Sequence, residues 1–301
     1  MARKRDVVIG VIIGVAFLLV LVFFTAMMVG MLSGDGEVGL AALGGGAVGV
    51  VDMFGVMDEE SGRPVIRQLE RWKDIDRVKA VVVHVNSPGG GVAIAQEIHA
   101  AIERVRETKP VVVSMAGVAA SGGYYIACAA DRVVANPGTL TGSIGTIMSF
   151  HTFEGTMKKL GVGLETIKSG EFKDVGNYSR EMTDEEESML RSVIMDGYEQ
   201  FVDAVAEGRG MEREEVYTLA DGSIYTGLQA YNLGLVDTLG SLYEAVDLAG
   251  ELAGIGPEPD ILRPQSREKY TIFDLFTGLL GDVNKAVRGA ETGQELMYLY
   301  R

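Results

Sequence analysis

The chain has 301 residues, of which 47% are hydrophobic and 23% are charged, a balance that excludes a disordered or collagen-like protein. Its formal net charge of −15 excludes an electrostatic grip on nucleic acid, because a phosphate backbone is held by a basic surface. With one cysteine, Cys128, and three histidines, the chain lacks the parts for an intramolecular disulfide or a clustered metal site. We therefore expect no metal and no cofactor.

The N-terminal region predicts a membrane anchor over residues 7–32. This run contains no charged side chain, and about 20 apolar residues are enough to span a bilayer as a helix. The alternative is a cleaved signal peptide, which has a shorter apolar core of about 7–15 residues and an A-x-A-like site that this run lacks. Basic residues 3–5 precede the run, so we expect a single-pass protein of the cell membrane. Residues 1–6 would then be cytoplasmic, and the remainder would be extracytoplasmic beside the lipid bilayer.

The remainder of the chain divides into a stalk, a domain and a tail. Residues 33–46 are rich in glycine and form a predicted flexible stalk. Between residues 47 and 255, β-branched runs alternate with amphipathic stretches, which predicts an α/β fold with a parallel sheet covered by helices. The predicted strands cover residues 47–54, 80–85, 111–115, 131–135, 144–148, 164–167 and 235–239. The main predicted helices cover residues 64–73, 92–106, 122–130, 152–160, 183–207 and 242–253, and residues 256–301 form a predicted tail.

Three glycine-rich turns follow predicted strands, at residues 86–91, 119–125 and 140–145. Because the carboxyl ends of parallel strands lie at one edge of a sheet, we expect these turns to gather there and form a site. Glycine pairs let backbone amides approach a ligand without obstruction by a Cβ atom, and two amides aimed at one point form an oxyanion hole. Ser121 lies at the expected N-terminus of a helix, where the helix dipole favours a developing negative charge.

These turns offer three candidate nucleophiles, Ser87, Ser121 and Ser143. A Ser-His-Asp triad is not favoured, because His84 lies in a buried strand, His99 belongs to a helical face and no G-x-S-x-G motif occurs. A Ser-Lys pair remains possible on these residues. The S-x-x-K motif occurs only at residues 266–269, in the charged tail. The residues by themselves do not select one lysine as the base.

Four ordered motifs carry a family resemblance: SPGGG at 87–91, MAGVAASGGYYIA at 115–127, LTGSIG at 140–145 and SGEFKDVGNYSREMTDEE at 169–186. Together with residues 208–216 and 220–240, they resemble the signal peptide peptidase family of membrane-bound serine peptidases, within the Clp protease/crotonase superfamily. The resemblance covers about residues 47–250. It implies repeated ββα units, peptide cleavage by a Ser-Lys dyad, and, for short-form members, a homo-oligomeric ring with the sites inside.

The resemblance also implies roles for four residues of this chain. Ser121 matches the nucleophile, Lys173 the general base, Gly90 an oxyanion-hole donor and Ser143 a hydroxyl that orients the lysine. A lysine acts as a base only when its amine is neutral.

Carboxylates flank that lysine in the sequence, at Glu171 and Asp174, and nearby negative charge favours the protonated amine. We therefore expect these carboxylates to point away from Lys173 or to be screened.

Small and apolar residues around the turns suit a hydrophobic substrate pocket. The candidate substrate-binding residues are Gly89, Val118, Ala119, Ala120, Gly122 and Ile144. Tyr124 and Tyr125 are each compatible with either a pocket wall or the core.

The expected function is that of a membrane-anchored serine endopeptidase that cleaves hydrophobic peptides such as signal-peptide remnants. Two alternatives remain at this point. One is a crotonase-like acyl-CoA enzyme, which shares the superfamily fold. The other is a catalytically silent scaffold that organises membrane partners.

Overall fold

The computed structural model describes Leu18, Val20, Leu21 and residues 45–264. The expected membrane anchor and stalk, and most of the expected tail, therefore lie outside the described residues. Within the described part of the chain, no helix is long and apolar enough to cross a membrane.

One mixed sheet organises residues 45–264, with strands in the order β6-β5-β3-β2-β1-β8, while β4 joins β3 to β7. The strands are β1 (Ala47–Phe54), β2 (Val78–Ser87), β3 (Val111–Ala120), β4 (Arg132–Ala135), β5 (Leu140–Gly142), β6 (Ile224–Thr226), β7 (Thr238–Leu239) and β8 (Asp260–Leu262). All neighbouring pairs in this sheet are parallel except β5 with β6. The predicted α/β class is confirmed, and β8 carries the sheet beyond the expected domain boundary at residue 255.

Helices cover both faces of the sheet. They are α1 (Glu59–Asp74), α2 (Val92–Arg106), α3 (Gly122–Ala127), α4 (Glu154–Leu160), α5 (Asp184–Arg209), α6 (Arg213–Leu219), α7 (Gly227–Asn232) and α8 (Leu242–Leu252). A 3-10 turn, Glu171–Asp174, lies between α4 and α5.

The hydrophobic pattern of β2 explains why both faces are covered. Val81 and Val83 belong to the core that includes Leu69 of α1 and Ile98 of α2. Val82 and its neighbours on the other face belong to a second cluster with residues of α8. Strands buried on both sides read as continuous apolar runs, which is the pattern that predicted them.

Two predicted strands are wrong. Residues 144–148 are irregular, and the strand lies earlier, at β5. Gly142 and Ser143 have φ angles of 78° and 51°, and this left-handed backbone cannot continue a strand. Residues 164–167 are also irregular: Ile167 is fully exposed, so the apolar run there packs against no neighbouring strand of the described chain.

Helix α1 begins at Glu59, five residues before the predicted start at residue 64. Asp58 and Ser61 form a capping box that satisfies two amides at the start of the helix, those of Asp58 and Ser61 themselves. Pro64 is therefore inside the helix instead of at its start.

Candidate active site

Ser121 occupies a strained position between β3 and α3. Its backbone has φ 52° and ψ −121°, a region that residues with a Cβ atom rarely adopt. Its amide donates to the carbonyl of Gly142 at 2.9 Å, and its own carbonyl accepts from the amides of Tyr124 and Tyr125 at 2.9 Å each. These bonds fix the turn that presents Ser121, which is the kind of preorganisation a nucleophile needs.

The glycine loop after β2 lies directly against Ser121. Gly89 has φ 100°, and a Cβ atom there would lie 2.8 Å from the Ser121 Cβ and 2.7 Å from the Gly122 nitrogen. The loop is held by Met57, whose amide donates to the Gly89 carbonyl and whose carbonyl accepts from the Gly91 amide, both at 2.9 Å. Only glycine allows the two backbones to approach so closely.

Two backbone amides, those of Gly90 and Gly122, lie close to Ser121. The bridge to Met57 uses the Gly89 carbonyl and the Gly91 amide, which leaves the Gly90 amide out of it. Gly122 is the first residue of α3, where no intrahelical carbonyl accepts the amide. The Gly90 nitrogen lies 3.4 Å from the ideal Cβ position of Gly122. Two backbone amides next to one serine are the kind of donors from which an oxyanion hole is built.

A small, mostly apolar pocket opens at this point, with an open volume of about 30 Å³. Two aromatic residues, Tyr125 and Phe201, line it, and their rings meet edge to face at 5.2 Å between centroids. Burial raises the pKa of the Tyr125 hydroxyl, so this group is uncharged at neutral pH. The pocket is lined by Gly90, Val92, Ala95, Ser121, Gly122, Tyr125, Gly145, Thr146, Gly197 and Phe201.

Ser143 lies next to the same turn. The Gly142 carbonyl that accepts from Ser121 belongs to the preceding residue, and the Ser143 amide donates to the Ser223 carbonyl at 2.7 Å. Like Ser121, Ser143 has a positive φ angle, 51°, and it is half-buried. The structure thus brings Ser121, Gly90, Gly122 and the Ser143 turn together.

Lys173 is not part of this group in the single chain. It is exposed on the 3-10 turn, and the pocket lining at Ser121 does not include it. Its neighbour Asp174 is joined through Arg180 to Glu186, in the first turn of α5. Gly197, which lines the pocket, comes 11 residues after Glu186 in α5. These two residues are therefore about 16 Å apart along the helix axis, at 1.5 Å per residue.

The expected substrate-binding residues have different positions. Gly122 lines the pocket, and Gly89 supports the Ser121 turn. Ala119, Ala120 and Ile144 are buried, and Val118 is half-buried on β3.

The other pocket residues carried unequal signals in the sequence. Val92 follows the glycine loop directly in the sequence, so its position near the pocket could be predicted. Gly197 and Phe201 come from α5, far along the chain, and only the tertiary fold shows that they belong to the pocket. Tyr124 is buried, and its hydroxyl donates to the Leu235 carbonyl at 2.9 Å, whereas Tyr125 faces the pocket.

Neither of the two histidines considered for a triad lines the pocket. The Nδ1 atom of His84 lies 3.2 Å from the Asp52 carboxylate, and His99 packs against Tyr125 with 4.9 Å between ring centroids. Burial lowers the pKa of His99, which keeps it neutral. Among residues 45–264, no group of three or more His, Cys, Asp or Glu side chains could hold a metal ion.

Comparisons with known proteins identify the family. The model described as Peptidase family S49 matches residues 103–256, about half of the chain, and a model described as Clp protease matches residues 48–139. A protein of Synechocystis sp., named as a candidate protease, is 40% identical over 208 residues, which is 69% of this chain and 75% of that protein.

Two further relatives have more specific names. A candidate signal peptide peptidase, SppA, of Enterococcus faecium is 39% identical over 183 residues, covering 60% of this chain and 53% of the relative. The chloroplastic serine protease SPPA of Arabidopsis thaliana is 33% identical over 217 residues, covering 71% and 32%. The strained serine, the paired amides and these matches agree, and the chain belongs to peptidase family S49, a family of serine-type proteases.

Proposed function

We propose that the protein is a membrane-anchored endopeptidase that uses a Ser-Lys dyad, with Ser121 as nucleophile and Lys173 as general base. The observation that carries the nucleophile is the convergence of Ser121, two glycine amides and an apolar pocket. Such a constellation suits acyl transfer. The serine hydroxyl can attack the carbonyl carbon, the two amides can donate to the carbonyl oxygen, and the pocket can hold one side chain of the substrate.

The chemistry follows from these positions. The neutral amine of Lys173 accepts the proton of the Ser121 hydroxyl as the serine oxygen bonds to the scissile carbonyl carbon. The carbonyl oxygen becomes negative and receives hydrogen bonds from the Gly90 and Gly122 amides. The proton then passes to the leaving nitrogen as the peptide bond breaks, and water releases the acyl group from the serine by the same route. Ser143 orients the lysine amine in this scheme.

The base has to be brought to the nucleophile. We define the arm as residues 146–182, which include Lys173 and lie outside the core. Its apolar side chains are exposed at Ile147, Phe150, Phe153, Leu160, Val162, Leu164, Ile167 and Phe172. Exposed apolar surface of this extent marks an interaction site. We therefore propose that copies of the chain associate in a ring through the arm, and that association unites Lys173 with the Ser121 of another copy.

The substrate class follows from the pocket and from the expected anchor. A pocket of about 30 Å³ lined by two aromatic rings suits a small apolar side chain next to the scissile bond. A domain held near the bilayer by the anchor at residues 7–32 would meet hydrophobic peptides such as signal-peptide remnants. We also propose that the domain is built of repeated ββα units, as in the Clp protease/crotonase superfamily.

The test uses full-length protein in detergent and a peptide with a small apolar residue before the cleavage site. Ser121→Ala and Lys173→Ala should each lower kcat/KM by more than about a hundredfold, because the loss of one member of a catalytic unit costs nearly as much as the loss of both. The matched control is Lys159→Ala, which removes another exposed lysine of the arm and should keep wild-type activity. Mixing the two inactive variants should restore part of the activity if the dyad forms between copies.

Several results would contradict the proposal. A Lys173→Ala protein with near wild-type activity would exclude this lysine as the base. Failure of a fluorophosphonate probe to label Ser121 in the assembled wild-type protein would exclude the nucleophile, and a catalytically silent scaffold would then be favoured. Two inactive variants that never complement would indicate a dyad formed within one chain by movement of the arm.

A further inference from the structure

The carboxylate next to Lys173 belongs to a connected group of ion pairs. The Oδ1 atom of Asp174 lies 2.6 Å from the Lys168 Nζ and 2.9 Å from the Arg180 Nη2. The Arg180 guanidinium also contacts the carboxylate of Glu186, with Nη1 to Oε2 at 2.8 Å. We call Lys168, Asp174, Arg180 and Glu186 the four-residue network. It contains two cations and two anions, so it is neutral as a whole.

The network is shielded from solvent at its carboxylates. The side chain of Asp174 is 12% exposed and that of Glu186 is 2% exposed. The Arg180 and Lys168 hydrogen bonds hold the pKa of Asp174 well below its usual range. Arg180, and then the Thr183 amide, lower the pKa of Glu186 to about 2. Both carboxylates are therefore ionised at neutral pH and are matched by cations at contact distance.

The network also fixes the position of the 3-10 turn. Glu186 accepts from the Thr183 amide at 3.0 Å and so caps α5, while Arg180 ties this cap to Asp174. Lys168 closes the other side by donating to the Glu171 carbonyl at 2.7 Å. Consecutive residues of a 3-10 turn point about 120° apart, so Asp174 faces the network while Lys173 is directed elsewhere.

An ammonium keeps its proton longer beside an unmatched carboxylate. A base at Lys173 therefore requires that the adjacent negative charge be compensated. The other charged or titratable groups of the arm near this turn include Glu171 on the turn itself and His151 and Glu181 near Arg180. Further groups of the arm are Glu154, Lys158 and Lys159 on α4, and Glu165 and Tyr178 in the irregular stretches. Glu154 is already paired with Lys158, so Asp174 is the carboxylate whose compensation depends on Arg180 and Lys168.

We propose that Arg180 and Lys168 are positioning residues for the peptidase reaction: they neutralise Asp174, hold it away from Lys173 and fix the lysine turn at the start of α5. This inference rests on the proposed role of Lys173 as the base. It assigns a function to two cations that contact neither the pocket nor Ser121.

The test is the pH dependence of kcat/KM in the full-length assembled protein. Lys168→Gln should move the acidic limb of the profile upward by about half a unit to one unit, the size expected for one nearby unit charge. The rate at pH 7 should fall about three- to tenfold and recover at high pH. Arg180→Gln should act in the same direction and more strongly. Since it also leaves the buried Glu186 without its cation, Lys168→Gln is the variant that tests the inference if Arg180→Gln does not fold.

Two further variants separate charge compensation from a structural role. Adding Asp174→Asn to Lys168→Gln removes the excess negative charge that the loss of Lys168 leaves in the network, and it should return the acidic limb to its wild-type position. Arg191→Gln is the matched control, because it breaks an exposed Arg–Glu pair elsewhere on α5 and should leave the profile unchanged.

The inference is overturned if Lys168→Gln lowers the rate equally at all pH values, or if its profile matches that of Arg191→Gln. It is also overturned if Asp174→Asn fails to restore the limb. A Lys173→Ala protein that remains active contradicts the proposed function instead, so the two failures are distinguishable.

Discussion

Two serines of the site, Ser121 and Ser143, adopt positive φ angles of 52° and 51°. Such backbone conformations cost on the order of 1–3 kcal/mol for residues with a Cβ atom and persist only where the surroundings enforce them. The enforcing contacts are present: the Ser121 amide is bonded to Gly142, and the Ser143 amide is bonded to Ser223. The strain is therefore part of how the site presents its hydroxyl groups.

This strain predicts a difference in stability between two variants at residue 121. Ser121→Gly should be more stable than Ser121→Ala by about 1 kcal/mol, because glycine adopts this backbone freely whereas alanine keeps the Cβ atom. For a domain of this size the melting temperature should differ by about 2–4 °C. The comparison is made by denaturant unfolding and thermal melting of the full-length proteins.

Ser192 provides the control, since it is an exposed residue within α5. There the order should reverse, with Ser192→Gly less stable than Ser192→Ala by about 1 kcal/mol. Equal stabilities of the two variants at position 121 would show that the local backbone relaxes and stores no strain.

At the scale of elements, the sequence pattern predicted a helix correctly where apolar spacing or a capping residue determines its position. Helix α2 follows its apolar spacing from Val92 to Arg106, and α5 begins after Thr183, as its capping box predicts. The irregular stretch at residues 144–148 could not be predicted from the sequence, because its apolar run is typical of a strand. The strand ends before this run because the backbone of Gly142 and Ser143 is left-handed.

The candidate site divides in the same way. The glycine turns are local signals, and they predicted that Ser121 and Gly90 lie close together. The pocket wall from Gly197 and Phe201 depends on how α5 packs against α3, and no local pattern encodes that contact. The pairing of Ser121 with Lys173 came from the family resemblance and stays a prediction.

The start of α5 predicts a pH dependence of stability. The Arg180 guanidinium and the Thr183 amide lower the pKa of Glu186 to about 2 in the folded chain, from the 4.5 of an unperturbed carboxyl. A depressed folded-state pKa contributes stability that is present above pH 4.5 and is lost as the pH falls toward 2. The free energy of unfolding should therefore decrease across this interval, together with the contribution of Asp174.

Glu186→Gln removes this contribution, so its stability should change less with pH between 4.5 and 2 than that of the wild type. Urea unfolding at a series of pH values measures the slope. Glu187→Gln, at the neighbouring exposed position, is the control and should keep the wild-type slope more closely. Identical slopes for wild type and Glu186→Gln would mean that other carboxylates dominate acid unfolding.

At the scale of the whole molecule, the arm is the feature that a single chain leaves unexplained. Its apolar side chains are more exposed than a folded monomer normally tolerates, with Ile147 at 88%, Leu160 at 73% and Ile167 fully exposed. The same segment includes Lys173, which the pocket at Ser121 lacks. Association through the arm would bury these side chains and supply the proposed base in one step, so assembly and activity should be lost together.

Ile167→Asp tests this link. Because the side chain is fully exposed in the single chain, the substitution removes no packing there, and the melting of a dissociated chain should be unchanged. In an interface, a charged side chain at this position would be desolvated without a partner, which costs several kcal/mol and should dissociate the assembly. Light scattering in detergent should show a smaller particle, and kcat/KM should fall at least tenfold at the same protein concentration.

Ile224→Asp is the matched control, because Ile224 is 62% exposed but lies on β6, outside the arm. Both the particle size and the activity of this variant should remain those of the wild type. A particle of unchanged size with full activity would place the interface elsewhere, whereas a smaller particle that is fully active would show that one chain completes the dyad without a neighbour.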